Sequence, residues 1–459
     1  MSEKNSQEHL ARGLKNRHIQ MIALGGAIGT GLFYGSGKAI AITGPSVIFS
    51  FMVGGTIMYL IMRMLGEMST EEPVAGAFSH FAYKYWGEFP GFLAGWNYWF
   101  LYILVSMAEL TVVGIYVSYW LPDFPRWITS LIVLLTITGI NLVNVKLYGE
   151  FEFWFALLKI ITIIGTILLG VIIIFFGLNS PAVGFSNLWV HDGFFPNGGY
   201  AFLLSIAVIM FSFGGTELIG ITAGEADDPK TSIPRAVKQV MWRILIFYVG
   251  ALIVIMCIYP WNEISTKEAL DTSPFVLIFL KIGISPAAHV MNFVILSAAI
   301  SVYNSGIYSN GRMLYGLAEQ GNAPKFFTTL SSNQVPYIAI LFSSLCTLVA
   351  VIINYLVPDG AFMQVMALAT TAAVIMWVMI VLVHYRFRKI HKAQGTADQI
   401  FFKAPLYPFA NYLCVLFMGM VIFLMTQIES MRTAVIVLPI WFIVLFIGFK
   451  MKMAFNNKS

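Results

Sequence analysis

The sequence predicts an all-α polytopic membrane protein of about twelve transmembrane helices, and three observations carry that prediction. Of the 459 residues, 58% are hydrophobic and only 11% charged, with a mean hydropathy of +0.80. That is more apolar surface than a soluble chain of this length can hide. Apolar runs of about 20 residues recur along the whole chain, long enough to cross roughly 30 Å of hydrocarbon as helices. Strand-length alternation is missing from these runs, which argues against an outer-membrane barrel.

In chain order, the first run covers residues 19–39. It directly follows the basic segment Arg12 to Arg17 and is too long for a signal peptide, so it reads as span one. Spans two to five are expected at 45–65, 92–120, 128–143 and 154–177, and spans six to ten at 200–222, 240–260, 286–315, 337–356 and 363–384. Two more follow at 406–427 and 434–449. The chain thus divides into a tail (1–18), a first five-span unit (19–178), a second (199–386), an added pair of spans (406–450) and a closing tail (451–459). With the amino terminus inside, cytoplasmic segments hold 21 of the 27 Lys and Arg and outer loops five, while Lys159 lies within a span. Both termini are therefore expected in the cytoplasm. The net charge of +5 is then a topogenic signal and requires no nucleic-acid partner. Cys257, Cys346 and Cys414 fall in apolar runs without metal-ligand spacing and read as small core residues.

Two runs are unsuited to a plain helix. Gly25-Gly26-Ala27-Ile28-Gly29-Thr30-Gly31 puts four glycines in the middle of span one, each weakening a helix by roughly 1 kcal/mol relative to Ala. Phe211-Ser212-Phe213-Gly214-Gly215-Thr216-Glu217 puts two adjacent glycines in the middle of span six. Five spans separate the two breaks, the spacing expected of two inverted five-helix repeats. A broken span presents bare N–H groups and a positive dipole end at the bilayer midplane, with free carbonyls beside them. A zwitterion matches such a site. Its carboxylate would take the N–H groups of Thr30 and Gly31, and its ammonium the carbonyls near Ala27, Phe211 and Gly214. The competing reading is that the glycines only let helices pack closely.

Charges at membrane depth cost at least roughly 2.5–3.5 kcal/mol and ask for a role. Glu109, in span three, either faces the solute or exchanges a proton. Lys159, in span five, is a candidate for proton coupling, the alternative being that it snorkels to the cytoplasmic interface. Glu217, directly after the second break, is expected to hold that break in shape by accepting backbone N–H bonds. Arg63 and Glu67, four residues apart on span two, are expected to pair. With Glu71, Glu72 and the loop Gly224-Glu225-Ala226-Asp227-Asp228-Pro229, they form a candidate inner gate.

These residues carry a likeness. The stretch from Arg12 into the glycine cluster, Gly66-Glu67-Met68, Glu72-Pro73-Val74-Ala75-Gly76, the segment from Phe211 to Pro229 with Ile233-Pro234-Arg235-Ala236, and Gly311-Arg312-Met313-Leu314 resemble bacterial amino-acid permeases of the amino acid–polyamine–organocation superfamily. The likeness runs over essentially the whole chain. It implies a LeuT-like fold of two inverted five-helix repeats plus two extra helices, and proton-coupled import of amino acids. It also implies that Gly29-Thr30-Gly31 binds the solute carboxylate and that Phe211 to Gly215 receives the ammonium, with Phe211 as an aromatic gate and Lys159 as the proton-coupling lysine. Phe78 to Trp86, Gly95-Trp96-Asn97-Tyr98-Trp99, Met107 to Thr111 and Ser301 to Ser305 resemble most the permeases for aromatic amino acids. By that likeness Glu109 is important for transport, Tyr102, Phe211, Phe213 and Tyr303 pack against the solute ring, and Gly306 leaves room for it.

No Walker motif, paired-cysteine site, nucleophile elbow or histidine ligand spacing is present in the sequence. The expected function is therefore secondary active import of amino acids by proton symport across the bacterial cytoplasmic membrane, with phenylalanine, tyrosine and tryptophan as leading solutes. The alternatives are histidine, small neutral or D-amino acids, or, in another class, an amino-acid-binding membrane sensor. No enzyme activity, cofactor or metal is expected. The partners are the amino acid, the proton and membrane lipid, and the molecule is expected to work as a monomer.

Overall fold

The computed structural model describes residues 28–456 apart from 75–76, 144, 178–180, 219, 221–227, 267–271 and 358–359. The amino-terminal basic segment, the first half of span one and Gly224 to Asp227 of the candidate gate lie outside these residues. All regular structure among the described residues is helical.

Span one is described from a π-helical turn, Gly31–Gly35, that runs into Ser36–Thr43. Gly44 (φ 66°) and Pro45 turn the chain into span two, Val47–Glu71. A short surface helix, Ala77–Trp86, precedes span three, Glu88–Ser118. Spans four and five are Arg126–Val143 and Val145–Phe176. Span six begins at Gly198. Span seven runs through Pro229–Arg243, a second π-helical segment Ile244–Gly250, and Ala251–Ile258. Spans eight to twelve are Ser285–Glu319, Tyr337–Leu356, Ala361–Ala393, Phe409–Gln427 and Glu429–Asn456.

Several helices outrun their apolar stretches. Span eight has 35 residues and span ten has 33, so each is about 50 Å long, well beyond the hydrocarbon thickness. Their last turns carry Arg312, Glu319, Arg386 and Lys392, polar residues that hydropathy alone ends a span on. Span twelve likewise continues to Asn456, so most of the segment expected to be a tail from 451 onward is helix.

Spans three, eight and ten are the most enclosed, and span twelve is almost wholly on the outside. The packing repeats itself across the two halves. Span three packs on span eight, span four on span nine and span two on span seven. Span three contacts span ten as span eight contacts span five, which is the same relation with the halves exchanged. Buried polar side chains mark it too. Asn141 of span four donates to Asn304 of span eight at 2.8 Å, and Asn354 of span nine donates to Thr111 of span three at 2.9 Å. Such interhelical bonds are worth on average ~0.6 kcal/mol each in a bilayer. The two five-span halves thus pack alike, and the two extra spans lie against their flank.

At the end of the molecule bearing Lys84, Arg386 and Lys452, the helix Ala77–Trp86 is tied back to span two through Glu72. Burial alone would raise the Glu72 carboxyl, but Lys84 at 2.6 Å and the hydroxyl of Tyr85 hold it below the usual carboxylate range.

Candidate solute site where two interrupted spans meet

Ile28 is non-helical and Gly29 lies in a bend, after which the amides of Leu32 and Phe33 both donate to the Gly29 carbonyl. Span six is helical over Gly198–Ile209, tightens to a 3-10 turn over Met210–Phe213, and stops at Gly214, whose ψ of 145° is extended. Gly215 then takes a φ of 86°, in the region glycine favours. The helical run thus ends inside the bundle. The two breaks touch: a Cβ on Gly31 would lie 2.6 Å from the Ser212 Cα. Only a glycine lets the backbones approach this closely.

Beside that contact is a cavity of about 50 Å³, walled by Gly29, Gly31, Tyr102, Glu109, Phe211 and Glu217 among others. It has room for a few waters. Glu109 reaches from span three to the start of span one. Its Oε1 accepts the Thr30 hydroxyl at 2.9 Å and the Thr30 backbone N–H at 3.4 Å. A carboxylate therefore already occupies the exposed amide end of the broken helix. The Lys159 side chain is fully buried, near enough to Glu109 to act on its charge. On the other side, Glu217 accepts the Gly215 N–H at 3.2 Å through Oε1, with Arg243 and the Trp377 indole nearby. Among the described residues, Glu109 Oε2, Glu217 Oε2 and the Tyr102 hydroxyl are buried without a well-formed hydrogen bond, the Tyr98 hydroxyl lying beside the last and the Trp377 indole beside Glu217. Polar atoms left this way in a native core call for a partner, which a water or a polar ligand in the cavity supplies. Two acceptors and a hydroxyl around one void suit an ammonium group.

Of the residues expected at the site, Gly29, Gly31, Tyr102, Glu109, Phe211, Gly214 and Glu217 line the cavity, and Thr30 is one hydrogen bond behind it. Others stand elsewhere. Phe213 turns away, to Phe51 and Tyr248, with ring centroids 5.9 and 5.8 Å apart. Tyr303 is buried against Thr347, its hydroxyl 3.4 Å from the Thr347 Oγ1. Gly306 makes no void: a Cβ there would meet the Ser106 hydroxyl at 2.3 Å, so this glycine seats span eight on span three. Ala27 lies outside the described residues. Lys159, being fully enclosed, does not snorkel to an interface.

The expected Arg63–Glu67 pair is replaced by two separate arrangements. Arg63 lies over the Phe402 ring at 3.8 Å and donates to the Lys403 carbonyl. Glu67 is wholly buried and faces span ten, with Arg388 at 2.6 Å and His384 at 3.1 Å, and also accepts the Ala404 N–H. A carboxylate at no exposure needs an enclosed cation, and span ten supplies it where the outward-facing Arg63 does not.

Several participants were not anticipated. Tyr248, in the π segment of span seven, donates to the Ser212 carbonyl at 2.7 Å, capping a carbonyl that the break sets free. Ala369 and Ala373 of span ten complete the apolar wall. The i, i+4 spacing of His384 and Arg388 was the one sequence signal for a shared face.

The chain resembles known proteins over nearly its whole length. Residues 18–458 match the family model described as amino acid permease. The chain is 51% identical to the aromatic amino acid transport protein AroP of Escherichia coli (strain K12), over 98% of each chain. It is 50% identical to the protein of the same name in Salmonella typhimurium (strain LT2), again over 98% of both. It is 48% identical to the uncharacterized amino acid permease YtnA of Bacillus subtilis (strain 168), over 96% of this chain and 95% of that one.

Proposed function

The chain belongs to the amino acid permease family, and on that footing we propose that it imports aromatic amino acids across the bacterial cytoplasmic membrane together with protons. The observation that carries the proposal is the Glu109 carboxylate seated on the Thr30 amide and hydroxyl. An amide end that holds one carboxylate suits the carboxylate of an amino acid. Two carboxylates cannot share one set of donors in a dry site with both charges intact. The arriving solute therefore displaces Glu109, which leaves as the neutral acid and so carries the proton. Lys159, whose charge acts on Glu109, is the group that restores the empty arrangement.

The ammonium is received by Glu217 Oε2 and the carbonyls at the span-six break. The side chain extends between Phe211, Tyr102, Ala369 and Ala373, where an aromatic ring packs edge-on against the first two. The names of the Escherichia and Salmonella relatives support an aromatic solute. The small volume of the cavity favours a second reading, histidine or small neutral or D-amino acids, in which the walls need open less.

The test is uptake of labelled phenylalanine into proteoliposomes under an imposed inward proton gradient, competed by the full amino-acid set. Accumulation that collapses with the gradient, and competition foremost by phenylalanine, tyrosine and tryptophan, is expected. Lys159→Ala should bind solute yet fail to accumulate it. Absence of gradient-driven accumulation would sink proton symport, and competition by small side chains alone would replace the aromatic solute.

A further inference from the structure

A second cavity shares no lining residue with the solute site. It is a side trough of about 760 Å³ formed by the start of span three, span nine, the turn before it, and span twelve. Its inner wall is aromatic: Phe92, Trp96 and Trp99 from span three, Phe342 from span nine and Trp441 from span twelve. Every indole N–H on this wall is already bonded inside the protein, Trp96 to the Asn322 carbonyl at 2.9 Å, Trp99 to Ser343 Oγ at 3.2 Å and Trp441 to Asn97 Oδ1 at 3.2 Å. The wall thus offers ring faces and no polar demand.

Charge is confined to one end. Lys325 and Lys452 line the trough there, and among the described residues no acidic side chain lines it. Lys452 donates to Asn322 Oδ1 at 2.7 Å, which uses one of its three protons. Lys325 is exposed and has no ion pair among the described residues. The mouth opens through Phe342, Val444 and Met451, which are 38–55% exposed, beside the outward Leu345 and Ile447. In a membrane-spanning bundle these apolar faces point toward the acyl chains of the bilayer.

We propose that this trough binds an anionic phospholipid, one acyl chain lying along the tryptophan wall and the phosphate seated between Lys325 and Lys452. A long apolar chain with a single negative head matches a dry wall with cations at one end. A polar solute does not, because the wall has nothing to give it. Basic pockets between spans on the cytoplasmic side take anionic head groups, and this is the end that carries the molecule's basic loops. A volume of this order is that of a well-formed ligand site.

The experiment is native mass spectrometry of the full-length protein released from detergent, titrated with phosphatidylglycerol or with phosphatidylcholine of the same chains. One phosphatidylglycerol should stay bound where phosphatidylcholine is lost. The charge variant Lys325→Gln with Lys452→Gln should weaken retention roughly fivefold per lysine. The volume variant Gly448→Phe fills the trough. A Cβ at Gly448 meets only Phe92, at an ordinary 3.6 Å, so this variant should exclude the lipid while leaving both lysines. Millimolar inorganic phosphate should not displace it. Equal retention of both lipids, retention unchanged in both variants, displacement by phosphate alone, or a second copy of the chain in place of the lipid would each overturn the proposal.

Discussion

Gly31 and Gly35 lie one turn apart on span one, and their surroundings differ sharply. A methyl group on Gly31 would meet the Ser212 backbone at 2.6 Å, whereas on Gly35 it would meet only the Thr30 carbonyl at 3.8 Å. Gly31→Ala must therefore push the two breaks apart and shift Thr30 away from Glu109. Gly35→Ala adds a better helix former at no steric cost. We expect binding of phenylalanine, measured by its stabilisation of the purified protein, to fall at least tenfold in the first variant and to stay within about twofold in the second. Equal affinity in the two would remove the Gly31–Ser212 contact from the site. The pattern of glycines indicated where each helix breaks, because glycine acts on its own backbone. It did not indicate which glycines line a void and which close a contact. Gly306 shows the difference: its role is fixed by Ser106, a residue 200 positions away.

Among elements, span two and span ten are joined by Glu67, Arg388 and His384, a cluster closed to water on nearly all sides. Removing one member strands the others, which in buried pairs costs about 3–5 kcal/mol. Glu67→Ala should lower the thermal midpoint in detergent markedly. Arg63→Ala should lower it much less, since it loses a partly exposed cation–π contact worth roughly 0.5–1 kcal/mol and one carbonyl bond. Similar losses in both variants would mean that the cluster holds nothing. Hydropathy located the spans well because lipid acts on every apolar residue alike. It misjudged their ends, as at Glu319 and Asn456, because a helix outside the bilayer is held by polar bonds that hydropathy does not register. The preference of Glu67 for Arg388 over Arg63 was illegible for a related reason. Local spacing offered the nearer cation, while burial selected one contributed by another helix.

For the molecule as a whole, the distribution of Lys and Arg predicts which face meets the cytoplasm. Both described ends of the chain are then judged by one measurement. In a background with Cys257, Cys346 and Cys414 replaced, a cysteine at Asn262, on the loop after span seven, should react in intact cells with a thiol reagent that cannot cross membranes. A cysteine at Lys450 should react only after permeabilisation. The reverse pattern would invert the topology. The repeated pairing of spans three with eight and four with nine forms a helical frame, against which the less regular spans one, six and seven are set.

The π turns at Gly31–Gly35 and Ile244–Gly250 add one property to those spans. A π turn loops through one more residue than an α turn, so each holds slack wound into the rod. Drawing in that slack would spin the neighbouring backbone by about 100° while leaving the chain of peptide bonds wound. In span one such a spin would swing the Thr30 amide off Glu109. In span seven it would lift the Tyr248 hydroxyl from the Ser212 carbonyl. Each side of the solute site thus carries a segment wound with more residues per turn than the α-helix it continues.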